Sequence, residues 1–230
     1  MEYREELKFI IKQSEINVLE TRLKGIMRID SNSKKNSSYN IRSIYFDDYS
    51  NSCFYENESG LDKRLKLRIR IYNHNRKLIK LEIKYKNHNL TKKEVCNINE
   101  DLCDRLIRGE KIRIDELDNR VLNKLYIYQQ TRLLVPKIIV EYDRIAYTSK
   151  LGNVRVTFDT NIRASKYVDR FFDKNLYAVP VLNKGFNVLE VKYDELLPDY
   201  IAKTLETKKL SQTAFSKYYL SRIRLKEEVV

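Results

Sequence analysis

The stretch Lys63-Arg64-Leu65-Lys66-Leu67-Arg68-Ile69-Arg70-Ile71-Tyr72 alternates charged and apolar side chains almost without a break. Successive side chains of an extended strand point to opposite faces, so Lys66, Arg68, Arg70 and Tyr72 share one face and Leu65, Leu67, Ile69 and Ile71 the other. The pattern recurs along the chain. Lys80, Glu82, Lys84 and Lys86 oppose Ile79, Leu81, Ile83 and Tyr85, while Arg4, Glu6 and Lys8 oppose Tyr3, Leu7, Phe9 and Ile11. Glu190, Lys192 and Asp194 oppose Leu189, Val191 and Tyr193, and Arg155, Thr157 and Asp159 oppose Val154, Val156 and Phe158.

Strands are therefore expected over residues 3–12, 41–47, 63–72, 77–86, 91–98, 137–148, 154–163 and 186–194. Helical periodicity fits residues 14–27, 100–107, 114–130, 197–206 and 213–225. Ser14 is the expected N-cap of the first helix and Gly109 the expected stop of the second. Long strands interleaved with helices imply an α+β fold with a largely antiparallel sheet.

Two architectures produce such faces. One is an open antiparallel sheet with its apolar face on helices and its charged face in water. The other is a barrel whose apolar outside is covered by helices and whose inside is charged. Several strands charged along one face cannot converge on a dry interior, because burying unpaired charge is very costly. Such a barrel must be wet or hold a charged ligand and ions, and interior cations beside carboxylates suit a phosphate chain with a divalent metal.

Composition bounds the function. The 230 residues fit one domain, 1–230, with room for a sizeable core. Lys+Arg 45 against Asp+Glu 32 gives a formal net charge of +13, which points to a polyanionic partner. Cys53, Cys96 and Cys103 have no metal-ligand spacing, and their odd number with no secretory signal implies reduced thiols in a cytoplasmic protein. His74 and His88 lie in polar, turn-like stretches, which argues against a histidine triad or zinc site. No run approaches the ~18 apolar residues of a membrane span. With Gly 5 and Pro 3 there is no obvious linker, and Ser31-Asn32-Ser33-Lys34-Lys35-Asn36-Ser37-Ser38 reads as a surface loop.

The motifs are short. Arg68-Ile69-Arg70 sets two guanidiniums on one face, about 6.5–7 Å apart along a strand, each able to contact phosphate in bidentate fashion. A solvated sheet face would carry the same pair. Glu6-Leu7-Lys8, Glu82-Ile83-Lys84 and Glu190-Val191-Lys192 repeat one form, Glu-x-Lys. A single copy is ordinarily a structural ion pair of small worth. There is no glycine-rich phosphate loop, so any phosphate must be held by side chains.

Read in order, these segments resemble the VTC domain of the triphosphate tunnel metalloenzyme superfamily, the polyphosphate polymerase branch of the CYTH-like fold. The resemblance is carried by Arg4-Glu5-Glu6-Leu7-Lys8-Phe9, Arg42-Ser43-Ile44-Tyr45-Phe46-Asp47, Leu67-Arg68-Ile69-Arg70-Ile71-Tyr72 and Leu81-Glu82-Ile83-Lys84. It continues through Glu141-Tyr142-Asp143-Arg144-Ile145-Ala146-Tyr147, Arg155-Val156-Thr157-Phe158-Asp159-Thr160, Val188-Leu189-Glu190-Val191-Lys192 and Phe215-Ser216-Lys217-Tyr218. It implies an eight-stranded antiparallel tunnel β-barrel with a charged interior and helices packed outside.

The resemblance also implies roles. Lys8, Arg68, Arg70, Lys84, Arg144 and Arg155 would grip a triphosphate, with Tyr142 near the phosphates and Ser216 and Lys217 reaching in from a C-terminal helix. Glu190 would hold Mn²⁺ or Mg²⁺, and a further cation is expected from Lys92 or Lys93, with Lys92 carried forward. The expected function is transfer of the ATP γ-phosphate onto polyphosphate, with Arg68, Arg70 and Arg144 as the catalytic cations. ATP and polyphosphate are the expected partners, with no nucleic acid and no membrane segment. The alternatives are a triphosphatase on the same fold and a non-catalytic polyphosphate-binding module; a basic nucleic-acid binder is a further rival. Hydrolytic relatives open with Glu-x-Glu-x-Lys, and Arg4 at the first of those positions leans toward the polymerase branch.

Overall fold

The computed structural model describes residues 3–33, 38–88, 90–206 and 210–227. Residues 34–37 of the expected loop, and the first two of the chain, lie outside the described residues. In chain order the elements are β1 (Arg4–Lys12), α1 (Gln13–Lys24), β2 (Arg28–Ile29), β3 (Tyr39–Asp47), α2 (Ser52–Glu58), β4 (Lys63–Tyr72), β5 (Ile79–Asn87) and β6 (Leu90–Ile98). There follow α3 (Glu100–Ile107), α4 (Arg120–Arg132), β7 (Val135–Ser149), β8 (Val154–Ser165), β9 (Val179–Pro180), β10 (Phe186–Tyr193), α5 (Asp199–Leu205) and α6 (Lys217–Glu227).

The long strands pair in the order β7-β3-β4-β5-β6-β1-β10-β8, all antiparallel, and β8 pairs again with β7. The sheet is thus a closed ring of eight strands, which leaves the barrel and removes the open-sheet alternative. Closure abolishes the exposed edge that would invite pairing with another chain. The two-residue strands β2 and β9 extend the edges of β7 and β8. The β1–β6 junction is the thinnest, held by Arg4 opposite Thr91 and Glu5 opposite Leu90.

The alternation sorts side chains as the sequence requires. Outside β4 and β5, Leu67, Ile69, Leu81 and Ile83 pack on Leu102, Leu106, Leu122 and Leu125 of α3 and α4. Outside β1, β8 and β10, Phe9, Val156, Phe158, Leu189 and Val191 pack on Ile16, Leu19 and Leu23 of α1 and on Ile201 and Leu205 of α5. Each such side chain gains roughly 1.5–3 kcal/mol from full burial.

Part of the inner wall departs from the expected charge. Ile41, Tyr45, Val140, Tyr142, Ala146 and Val188 form an apolar cluster with Phe215 and Tyr218 of the C-terminal segment and with Cys53 and Phe54 of α2. The segment before α6 touches inward side chains of several strands: Phe215 O accepts from Lys8 Nζ at 3.1 Å, Ser216 Oγ from Lys66 Nζ at 2.7 Å, and Lys217 reaches Asp159. Only α1, α3, α4 and α5 therefore flank the barrel wall; α2 and α6 lie across one end of it.

Local boundaries differ where side chains compete with periodicity. The first helix begins at Gln13, and the Lys12 N–H donates to Glu15 at 2.7 Å, so Ser14 is not its N-cap. Gly109 does follow the second helix, at φ +81°, a left-handed conformation that glycine adopts freely. The helix expected over 114–130 breaks into a short 3₁₀ turn and α4, because the Asn119 side chain accepts the N–H groups of Val121 and Leu122. The last helix starts only at Lys217, and before it the Thr213 N–H is drawn to Lys8 O at 2.9 Å. Helix α2 was not expected; the carboxylate of Asp47 organises it by accepting the N–H groups of Cys53 and Phe54.

Phe158→Ala should test the outer packing: it removes a fully buried ring and is expected to cost about 3–5 kcal/mol, read as a lowered urea midpoint with an unchanged slope.

Candidate functional site

Closure of the ring turns the inner faces of eight strands toward one another. They enclose a cavity of about 790 Å³ lined by fifteen Lys and Arg side chains and two carboxylates, Glu6 and Glu190. Every site residue named from the sequence lines it: Lys8, Arg68, Arg70, Lys84, Lys92, Tyr142, Arg144, Arg155, Glu190, Ser216 and Lys217.

Strand register fixes their neighbours. Arg68 lies opposite Glu82 and is held by it at 2.6 Å, with Tyr45 Oη at 3.0 Å. Arg70 is held by hydroxyls, Ser43 Oγ and Tyr142 Oη, both at 3.1 Å, with Glu82 only within 3.8 Å. Arg144 makes a bidentate pair with Asp159 at 2.6 and 2.7 Å, and Lys217 meets the same carboxylate at 2.6 Å. The ring of Tyr142 lies beneath both, 5.3 Å from the Arg144 guanidinium and 4.8 Å from Lys217 Nζ. Arg155 pairs with Asp30 at 2.9 Å and Tyr39 Oη at 3.1 Å, toward the opposite end.

Across β1 and β10, Glu6 lies opposite Lys192 and Glu190 opposite Lys8, so the two carboxylates are diagonal neighbours. Lys8 lies 3.6 and 3.8 Å from them, Lys192 lies 3.3 and 3.0 Å from them, and Lys84 is 2.8 Å from Glu6. Burial would raise the carboxyls of Glu6, Glu82, Asp159 and Glu190; the cations beside each outweigh it and keep all four ionised, below the ordinary carboxylate range. The cations feel the converse. Burial, with Lys8 and Lys192 nearby, brings Lys84 down to about 7 despite Glu6, and burial brings Lys93 to about 8 despite Glu82.

The choice between the two lysines of β6 is settled by pairing. Lys93 lies opposite Lys84 on the inner face and reaches Glu82 at 3.0 Å. Lys92 lies opposite the outward Tyr85, with its ammonium 5.9 Å from the Tyr3 ring, so it reaches the cavity only at the rim. Sequence reasoning gave no role to Glu6, Tyr45, Lys66, Glu82, Asp159 or Lys192, and named Lys93 only as the alternative to Lys92. The alternation placed Glu6, Lys66, Glu82, Asp159 and Lys192 on charged faces, and that was the signal that could have found them.

The donor set suits a hard divalent cation. Glu6 and Glu190 offer carboxylate oxygens around the same two lysines, Lys8 and Lys192, and among the described residues no group of three or more His, Cys, Asp or Glu forms a complete protein cage. Such a cation would take its remaining oxygens from phosphates and water, as Mg²⁺ commonly does.

A model of the VTC domain matches residues 3–225. The chain belongs to the VTC domain family. Among solved structures, this VTC domain is similar to HpAC1 from Hippeastrum, a candidate adenylyl cyclase with a dominant triphosphatase activity; the TM-score is 0.55 at 13% identity, over 96% of this chain and 95% of that one. It is similar also to a candidate adenylate cyclase from Bacillus halodurans, with TM-score 0.55 and 13% identity over 94% of each chain. These likenesses show that the VTC domain shares its fold with both proteins. No curated protein matches its sequence.

The depressed lysines predict a pH dependence of stability. Burial pushes Lys84 down to about 7 in the folded chain, against about 10.4 for a free lysine in the unfolded chain. Between those values the unfolded chain binds more protons, so unfolding becomes harder as pH rises. Urea midpoints should increase from about pH 7 to about pH 8.5, and Lys84→Met should flatten that slope.

Proposed function

We propose that this VTC domain is a phosphotransferase that holds the triphosphate of ATP in the tunnel and moves the γ-phosphoryl group onto a polyphosphate chain. The observation that carries the proposal is the excess of cations in the enclosed cavity. Glu6, Glu82, Asp159 and Glu190 are all engaged with lysine or arginine, and Arg70 still has only hydroxyls at hydrogen-bond distance. A polyanion supplies the missing charge.

An oxygen of the terminal phosphate of the acceptor forms a bond to the γ-phosphorus. The bond from that phosphorus to the β–γ bridging oxygen breaks, and ADP leaves with the electron pair. No side chain acts as nucleophile. Phosphoryl transfer is governed by positioning and by neutralisation of charge on the transferring group. Glu82 and Asp159 hold the Arg68 and Arg144 guanidiniums in fixed orientations, so that their remaining N–H groups are aimed before substrate arrives. Tyr142 hydrogen-bonds Arg70 and lies under Arg144 and Lys217, which ties three cations together. Glu190 and Glu6 would hold Mg²⁺ or Mn²⁺, which when bound neutralises phosphate oxygens and orients them.

Hydrolysis, with water in place of the acceptor, is the second reading. It is favoured by the activity of the Hippeastrum protein. Against it stands Arg4, whose guanidinium is bound to Asp194 at 2.9 Å and so adds no third carboxylate beside Glu6 and Glu190.

Incubation with ATP and Mg²⁺ or Mn²⁺, with polymer resolved on a gel and ADP and phosphate assayed, decides between them. Long polymer with ADP is expected; ADP with free phosphate alone would establish the triphosphatase, and no ADP would leave a binding module. Arg70→Ala is expected to lower turnover by about 10²–10³-fold. Glu190→Gln should abolish the metal-dependent rate, and near-native turnover in that variant would remove the metal role of Glu190.

A further inference from the structure

The cavity wall changes character at the mouth away from the C-terminal segment. Ser216 meets Lys66 toward the start of β4, whereas Tyr72 ends that strand. Tyr39 opens β3 and Leu78 immediately precedes β5, so Tyr39, Tyr72 and Leu78 belong to one rim. Strand register agrees, with Ile41 opposite Tyr72 and Lys80 opposite Arg70. The rings of Tyr39 and Tyr72 stand 6.2 Å apart and are tilted by 43°, and both line the cavity with Ile41, Leu78 and Lys80. Tyr39 is buried and fixed, its hydroxyl accepting from Arg155 at 3.1 Å. Tyr72 is half-buried, and Leu78 keeps 40% of its surface exposed. Lys80 lacks an anion: among the described residues no carboxylate comes within ion-pair distance of it, and its ammonium rests 5.5 Å over the Tyr72 ring.

An inorganic polyanion gains nothing from such a rim, because apolar and aromatic surface offers its oxygens no donors. A nucleotide differs, since one end is charged and the other is a flat, weakly polar ring. We infer that the Tyr39–Tyr72 rim is a nucleobase subsite, in which the base of a nucleoside triphosphate lies on the Tyr72 ring against Leu78 while its phosphates run inward to Arg70 and Arg68. The inference rests on the tunnel being a triphosphate site, and adds which class of triphosphate it takes and which way that ligand points. The spacing suits it. Tyr72 and Arg70 are successive inward side chains of one strand, about 6.5–7 Å apart, a step that the ribose and α-phosphate bridge. Lys80 takes part by moving. A cation over a partly exposed ring is weakly held, and a phosphate oxygen is the stronger partner. The ammonium turns to the α-phosphate, and the ring face it covered is left for the base. Stacking on an aromatic face tolerates any base, so the subsite distinguishes a nucleotide from an inorganic triphosphate.

Binding in EDTA, without turnover, tests the subsite. Calorimetry at fixed salt would compare ATP with ribose 5-triphosphate, which carries the same charged chain without the base. The proteins are the native chain and the variants Tyr72→Leu, Tyr72→Phe and Leu78→Ser. On the native chain ATP is expected to bind about tenfold more tightly than ribose triphosphate. Tyr72→Leu keeps an apolar side chain without the ring; it should bring that ratio below about twofold and leave ribose triphosphate within about threefold of native. Tyr72→Phe should keep the ratio. Leu78→Ser, at an exposed position outside the strands, should lower it by about threefold and supplies a second reading if Tyr72→Leu melts early. Equal affinity of the native chain for the two ligands would overturn the subsite alone. So would an ATP advantage that survives both Tyr72→Leu and Leu78→Ser, an equal loss of both ligands in those variants, or loss of the advantage in Tyr72→Phe. Failure of both ligands to bind the native chain, with or without Mg²⁺, would overturn the tunnel assignment and the subsite with it.

Discussion

Everything in this molecule turns on the cost of facing like charges across a closed ring. Removing an ion from water costs several kcal/mol even after relaxation, and it is repaid only by a well-placed partner. The chain meets the cost unevenly. Glu82 takes up Arg68 and Lys93, Asp159 takes up Arg144 and Lys217, and Glu6 with Glu190 shares Lys8, Lys84 and Lys192. Two carboxylates on the cavity surface do not balance the fifteen cations there, so the enclosed cavity carries an excess of positive charge.

The same carboxylates serve orientation. A guanidinium fixed by a bidentate carboxylate presents its remaining N–H groups in one direction, and electrostatic preorganisation of this kind acts without further rearrangement when charge moves during the reaction. The apolar sector of the inner wall has a complementary purpose. Tyr45, Val140, Tyr142 and Val188 pack against Phe215 and Tyr218, which seats the C-terminal segment across one end and delivers Ser216 and Lys217 to the cavity. Without that dry contact the two residues would have no fixed place relative to Arg68 and Arg144.

The helices have a simpler task. The outward faces of β4, β5, β8 and β10 are nearly continuous apolar surface, and α1, α3, α4 and α5 cover them. This cover lets a strand such as Lys63–Tyr72 carry charge along its whole inner face, because core energy is gathered outside the ring and the site occupies the inside. Stability and function are therefore assigned to opposite faces of the same strands.

Much of this was legible in the chain itself. A period of two fixes which side chains share a face whatever the sheet does next, so the charged set of Lys8, Arg68, Arg70, Lys84, Arg155 and Glu190, and the apolar set behind it, follow from the sequence. So do the existence of the eight strands and, through the ordered motifs, the family. Three things were decided only by tertiary structure. Ring closure chose between a solvated face and an enclosed one, since alternation is identical in both. Cross-strand register placed Lys93 inward opposite Lys84 and left Lys92 at the rim, because adjacent residues of one strand carry the same local signal. The partners came last: Asp159 beside Arg144, Glu6 beside Lys84, and Ser216 beside Lys66 are far apart in the chain and meet only when the barrel closes. Local sequence determines the face on which a charge sits, while the long-range pairing of strands determines which charge it meets.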